Sequence, residues 1–533
     1  MLCSISIENF KGISDLITIP IRPITLLFGA NSAGKSTVIQ AIHYFRELLL
    51  NKNVDADRTD LGGEFLDLGG FYSMVNSHDL SKEIKIKLEF EVNDDSLEPF
   101  EGAIYNSTKS IDPINEFLSV KTAYVELTVA HDGKHPIIKF YSVGLNGNLI
   151  GTLGWFGDYV GIHELNLSHT LFDNMAESKI NEEDIEGSNE EKKNEAFSKY
   201  FSTYIEQDGR DITEPVFFEN LKSIIPPEDE LLIIKAQESD DDSTYGNEYV
   251  SHLISRLFVR PADILREFLF DLKYIGPVRE IPPRNYAPFN SPEMSGWSNG
   301  FEAWDLLHRK GSEFVQKCSA ALTDIVKLGY SLTFTEYIHL YKNDLAYKNI
   351  ELLSRNLEDW EENDINNRIL TPLKAKQPFL KIVVKDEVKN IDVELPEIGV
   401  GVSQAVPVVV AVLDNETKFL AIEQPELHLH PAVQCNLADV FIKEANKSSN
   451  KIFLIELHSE HFILRLLKRI RECNVKLPPD NHLIITPDKV AVIHVEKRED
   501  DTVIKELSIN KDGEFEDEWP GGFFEERTKE WFD

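Results

Sequence analysis

Charged and apolar residues alternate without a break over Glu83-Ile84-Lys85-Ile86-Lys87-Leu88-Glu89-Phe90-Glu91-Val92. That is the period of a strand with one face on a core and the other in water. Residues 120–129 and 136–150 behave similarly around a turn at Asp132-Gly133, so a β-rich portion is expected there. Upstream, Ile5, Ile7 and Phe10 open a short strand that ends at Lys11-Gly12. Ile24 to Phe28 is a continuous apolar run after Pro23, which suits a buried strand. Val38, Ile42, Phe45 and Leu49 then recur at helical spacing, so a helix starts at the glycine-rich stretch between the two.

The middle of the chain reads differently. Glu177 to Glu195 is acidic and polar, a loop or a solvated helix, and Glu238 to Asp242 is a second acidic loop. From about 250 to 330 the pattern is mostly helical, with apolar residues at 258, 259, 262, 264, 265, 268 and 269. Tyr274-Ile275-Gly276-Pro277 to Pro283-Arg284, rich in Pro and Gly, reads as an ordered loop holding Arg279 and Arg284. From 379 onward short apolar runs return at Phe419–Ile422, Lys451–Ile455 and His482–Ile485. Helical segments at 431–446 and 460–473 accompany them. Such alternation predicts a mainly parallel sheet. No heptad repeat and no internal repeat is visible.

Composition narrows the classes. Hydrophobic residues make up 42% and aromatics 10%, which excludes wholesale disorder. The 533 residues suit about two to four domains, or one domain with a large insertion. Lys and Arg number 55 against 91 Asp and Glu, a net charge of −36. That argues against a surface that binds nucleic acid everywhere, and leaves room for a local basic groove. Cys3, Cys318, Cys435 and Cys473 are isolated, so neither a disulfide framework nor a cysteine zinc site is expected. The start of the chain lacks a signal peptide's pattern, and the longest apolar run, Ala405–Leu413, is too short to span a bilayer. A soluble cytoplasmic protein without a membrane partner is expected.

The candidate chemistry begins at Gly29-Ala30-Asn31-Ser32-Ala33-Gly34-Lys35-Ser36-Thr37, a full P-loop pattern between a strand and a helix. Its glycines let backbone N–H groups turn toward phosphates, and the helix N-terminus adds its dipole. Lys35 supplies a charge to the β and γ phosphates, and Ser36 a hydroxyl for Mg²⁺. Phe419-Leu420-Ala421-Ile422-Glu423-Gln424-Pro425-Glu426 looks like a Walker B strand, with Glu423 as the acid of the Mg²⁺ shell. Three readings of the next positions stay open. Gln424 orients water, Glu426 supplies the base, or hydrolysis is slow and the protein acts as an ATP-gated clamp. Glu397-Ile398-Gly399-Val400-Gly401-Val402-Ser403-Gln404 resembles an ABC signature motif, which offers a hydroxyl and helix N-terminal amides to a γ-phosphate. His458, just past an apolar strand, is a candidate γ-phosphate switch. His428 and His430 with His458 and His461 form an alternative metal set. Trp519-Pro520-Gly521-Gly522-Phe523-Phe524-Glu525-Glu526 suggests a tail that packs or docks a partner.

In this order the motifs, together with Ile7-Glu8-Asn9-Phe10-Lys11-Gly12, resemble the ABC-type ATPase heads of SMC, RecF and OLD-like proteins. The Trp-Pro-Gly-Gly-Phe-Phe ending and Tyr274-Ile275-Gly276-Pro277-Val278-Arg279-Glu280 are similar to a bacterial branch of stand-alone ATPases. Members of that branch and its relatives occur in antiphage defence, including Septu-like and retron-associated ATPases paired with a nuclease. The resemblance covers about 1–80, 270–285 and 395–530. It implies an α/β P-loop ABC-type ATPase head with a mixed, largely parallel sheet, split by a mostly helical insertion. On that basis 1–150 and 381–533 are the two halves of the head and 151–380 the insertion. ATP and Mg²⁺ are the implied cofactors. Two heads would sandwich ATP head to tail, Lys35 and Ser36 of one facing Ser403 of the other. A separate effector, HNH-type nucleases among the candidates, is the implied second partner, with nucleic acid met through the complex. Glu423 for Asp and Gln424 for Glu depart from the family pattern and put the hydrolysis rate in question. A Q-loop belongs within Asp67–Asp79. No TOPRIM-like acidic signature and no zinc-hook cysteine pair is present, so OLD-type nuclease activity is not expected in this chain. The alternative is a RecF- or SMC-like repair or maintenance ATPase that binds DNA itself.

Overall fold

The structure, a computed structural model, describes residues 1–93, 97–98, 100, 118–166, 168–172, 216–234, 244–284, 286, 288, 291–355, 361–447, 451–474, 483–498 and 501–517. The acidic stretches at 177–195 and 238–242 and the aromatic tail at 519–526 lie outside these residues.

In chain order the first part holds β1 (Leu2–Glu8), β2 (Ile17–Pro20), β3 (Ile24–Phe28), α1 (Lys35–Arg46) and β4 (Ile84–Glu91). Then follow β5 (Thr122–His131), β6 (Pro136–Leu145), β7 (Asn148–Phe156), β8 (Tyr159–Leu165) and β9 (Val216–Phe217). The middle carries α2 (Thr244–Phe270), β10 (Leu272–Ile275), α3 (Phe301–Ala320), β11 (Tyr330–Tyr337), α4 (Leu345–Arg355), β12 (Phe379–Asp386) and β13 (Ile391–Val393). The last part has α5 (Val400–Leu413), β14 (Phe419–Glu423), α6 (Pro431–Lys447), β15 (Ile452–Leu457), α7 (Glu460–Asn474), β16 (Val490–Arg498) and β17 (Asp501–Leu507).

These strands make three sheets. The central one has the order β10-β14-β15-β3-β16-β17, parallel throughout except for the last pair. Its inner strands read as unbroken apolar runs because helices cover both faces. The second sheet is antiparallel, β2-β1-β4-β5-β6-β7-β8-β9. Its β4 buries every other residue, as the charged–apolar alternation predicts. α2 closes its core, with Phe258 and Leu265 packed among Val125 and Tyr141, and the Tyr141 hydroxyl donates to the Phe258 carbonyl at 2.6 Å. The third sheet, β11-β12-β13, is small and antiparallel.

Two readings need correction. Tyr274 and Ile275 are not loop: they end β10, the edge strand of the central sheet, so the stretch taken as a mostly helical insertion supplies part of the head and further strands besides. Four residues with a glycine and a proline directly after them are too short for periodicity to separate from a turn. His482–Ile485 is not a strand either, as far as its described residues 483–485 go; the strand is β16, whose apolar run starts at Val490. Three apolar residues before Pro487 cannot form a sheet-long run. α5 is the reverse case. Its Val-rich sequence favours a strand, yet residues 402–413 are all buried on every side of a helix. Burial overrides propensity there.

Candidate nucleotide site

The site lies where parallel strands β14, β15 and β3 end side by side, the usual ligand edge of an open parallel sheet. β3 runs into the P-loop, and α1 starts at Lys35. Ser32 and Gly34 have φ of 60° and 97°, left-handed values that bend the loop around its own amides. Gly29 is required for a second reason. A Cβ there would sit 2.0 Å from the Val495 carbonyl oxygen of β16. Lys35 is buried and its Nζ donates to the Ala30 and Gly29 carbonyls at 2.8 and 3.2 Å. Burial lowers its pKa, and Glu456, Glu426 and Glu423 oppose that in turn.

Ser36 faces an acid that the motif reading did not select. Its Oγ donates to Glu456 Oε2 at 2.6 Å. Glu456, next to last in β15, lies directly opposite Glu423 at the end of β14. The sequence signal was a second apolar run meeting a Glu two residues before His458. Burial, and then Glu456, push the Glu423 carboxyl up to about 7, while the Tyr274 hydroxyl donates to its Oε1 at 2.9 Å. Burial likewise raises Glu456, against the Ser36 hydrogen bond and Lys35. Two crowded carboxylates and a hydroxyl are a hard oxygen set that suits Mg²⁺ beside a triphosphate.

The neighbouring positions divide. Gln424 takes a φ of 46°, its N–H donates to the Glu456 carbonyl at 2.8 Å, and its own carbonyl accepts from Arg279 Nη1 at 3.0 Å. Glu426 is buried, and its Oε1 accepts the His458 N–H at 2.6 Å. Its Oε2 has no hydrogen-bond partner among the described residues. Burial raises its pKa. His458 is half-buried, its pKa lowered by burial and then by Lys35. His430 caps α6, its Nδ1 accepting from the Ala432 N–H, and the described residues contain no group of three or more His, Cys, Asp or Glu placed to hold a metal. The four-histidine alternative is therefore not assembled.

Ser403 departs from expectation. It is 0% exposed and its Oγ donates to the Val400 carbonyl of its own helix at 2.8 Å. The hydroxyl is turned inward, so it does not face outward for a second head. Val400, at the tip of α5, is 51% exposed.

The paired acids give a pH signature. A carboxyl held above its ordinary 4.5 stabilises the fold fully below that value and loses the contribution as pH rises through about 7. Without nucleotide, the melting temperature should therefore fall by a few degrees between pH 5 and pH 8. Glu456→Gln should flatten that slope and raise the pH 8 value, because one of the two opposed charges is gone. Equal slopes in the two proteins, measured by scanning fluorimetry, would refute the coupling.

A P-loop strand and helix, with acids closing the neighbouring parallel strands, define a P-loop nucleoside triphosphatase. The chain belongs to the AAA ATPase domain family, whose model matches residues 1–259 and 314–463. A second model, described as a protein of unknown function (DUF3696), matches residues 485–533. The DNA replication and repair protein RecF of Chlorobium phaeobacteroides (strain BS1) is 27% identical over 93 residues, 17% of this chain and 24% of that protein. The chain thus spans about a quarter of that relative's length. Among solved structures, an SMC head bound to the C-terminal winged-helix domain of ScpA has a TM-score of 0.38 at 12% identity, covering 96% of this chain and 98% of that one. The SMC head domain from Thermotoga maritima gives 0.35 at 9%, covering 95% and 99%. Likenesses this distant carry no argument. No helix among the described residues is long and apolar enough to cross a membrane.

Proposed function

We propose that the chain is a slow, ATP-gated head that pairs with a second head around MgATP and regulates a separate effector. That effector is a nuclease in bacterial antiphage defence of the Septu-like or retron-associated kind. The carrying observation is Lys35 and Ser36 set against the Glu423–Glu456 pair, with an amide, Gln424, at the next position.

In this reading the amides of Asn31, Ser32, Ala33, Gly34 and Thr37 wrap the phosphates, and Lys35 leaves its loop carbonyls for phosphate oxygens. Ser36 and Glu423 would hold Mg²⁺, with Glu456 beside them in the same set. Bound Mg²⁺ neutralises phosphate charge as a Lewis acid. Gln424 can orient a water but cannot take its proton. Glu426 already holds the His458 N–H, so it is poorly placed as a base. Turnover should fall well below about 1 s⁻¹, the low end of ordinary enzymes. His458, just past the end of β15, takes the role of γ-phosphate sensor in this reading. In trans contact then comes from the amides at the exposed tip of α5 rather than from the Ser403 hydroxyl.

The test is sedimentation of the purified chain with no nucleotide, ADP or ATP, with hydrolysis measured alongside. ATP-specific association with slow turnover supports the reading. An oligomeric state indifferent to nucleotide, or rapid turnover, sinks it.

A second reading is favoured by the 93-residue match to RecF: a repair or maintenance ATPase that binds DNA itself. Salt-dependent DNA binding by the isolated chain, with stimulated hydrolysis, would select it. At a net charge of −36 that binding needs a confined basic patch.

A further inference from the structure

The geometry points to Tyr274 and Arg279 as positioning residues for the acidic end of β14, and to Arg279 as the link that ties this end to α5. The inference rests on the nucleotide-site reading above. Both residues lie in a stretch between the two segments matched by the ATPase family model.

Tyr274 sits on β10, in register with Ala421 of β14. Its ring is fully buried, edge-on to the equally buried His43 with centroids 5.2 Å apart, and its hydroxyl meets Glu423 Oε1 at 2.9 Å. A glutamate is one methylene longer than an aspartate and has one more torsion to fix. The hydroxyl fixes it. A packed ring on a neighbouring strand is a rigid way to do so.

Arg279 follows five residues later and is 1% exposed. Its Nη2 donates to the Glu423 carbonyl and its Nη1 to the Gln424 carbonyl. It thus clamps the backbone at the point where Gln424 takes its left-handed turn. Its own N–H donates to Gln404 Oε1 at 3.0 Å, and its carbonyl accepts from Gln404 Nε2 at 2.6 Å. Gln404 lies in the first turns of α5. A shift of that helix end is therefore carried through one side chain and one residue into the backbone of the acid and of the candidate water-orienting residue.

The test compares ATP affinity in EDTA with affinity in Mg²⁺, using a fluorescent ATP analogue. Tyr274→Phe keeps the ring and removes only the hydroxyl. It should leave the EDTA affinity unchanged and cut the Mg²⁺-dependent gain by about tenfold, as partners of metal ligands commonly do. In a Glu423→Asp background the shorter carboxylate falls about 1.5 Å short of the hydroxyl, so Tyr274→Phe should then cost less than twofold. Arg279→Lys keeps the charge but cannot span both carbonyls, and should likewise lower the Mg²⁺ gain alone. If Tyr274→Phe and Arg279→Lys leave the gain intact, or weaken binding equally in EDTA, the positioning role is wrong. An equal Tyr274→Phe cost in the Glu423→Asp background overturns it too. A wild-type chain that binds no ATP at all removes the nucleotide-site reading itself, and this inference with it.

Discussion

Lys35→Ala should abolish measurable ATP binding, raising the dissociation constant by at least about 100-fold. Lys35 is the cation at the head of α1, buried and already stripped of most of its water. It therefore gives a phosphate a charge-assisted contact in a low-dielectric setting, worth on the order of 3 kcal/mol or more. The loop carbonyls that accept from it in this structure cannot replace it, since they repel phosphate. The alanine variant also takes a positive charge away from Glu423, Glu426 and Glu456, which opposes an anionic ligand further. Fluorescence anisotropy with a labelled ATP analogue reads the change. Binding within tenfold of wild type would mean that the loop is not the phosphate site.

The second large effect is on stability. Asp414 follows the last residue of α5 and is 0% exposed. Its carboxylate accepts Lys273 Nζ at 2.5 Å, Lys310 Nζ at 2.6 Å and the Thr417 hydroxyl at 3.1 Å. Asp414→Ala strands Lys273, which is 13% exposed and over the Trp297 ring, without its counter-charge. Removing one partner of a buried pair costs about 3–5 kcal/mol, so the urea midpoint should drop sharply. Two lysines outweigh burial and hold this carboxyl down at about 2. A depressed carboxyl stabilises the fold above its ordinary 3.8 and loses that contribution as pH falls toward 2. Acid unfolding of the wild type should therefore contain a step between those values that Asp414→Asn lacks. Identical acid profiles would show that the pair contributes nothing net.

Legibility followed the range over which each signal acts. The P-loop, the alternation at Glu83–Val92 and the strands closing on Glu423 and His458 are local patterns, and their elements stand where the periodicity puts them. Glu456 carries no motif of its own, because its meaning depends on lying opposite Glu423, a relation between strands that no single stretch contains. Tyr274 and Arg279 stood in a loop-like run for the same reason. Their partners, Glu423 and Gln404, are 149 and 125 residues away. Ser403 fits a spacing pattern, yet a one-residue rotation around α5 decides whether a hydroxyl faces outward or back onto its own carbonyl.

The strand order of the central sheet also sets a clock. β3 leaves the ribosome early, but both strands that flank it, β15 and β16, come from the far end of the chain. Ser36 and the acid it meets are 420 residues apart. At bacterial and eukaryotic elongation rates of about 5–20 residues per second, that gap lasts roughly 20–80 s. Through that interval the nascent P-loop has a strand and a helix but no sheet to lean on. The antiparallel sheet, whose strands are nearly consecutive, can form meanwhile and hold the early segment out of trouble. The set that Ser36 forms with Glu456 thus assembles only once β15 has been made.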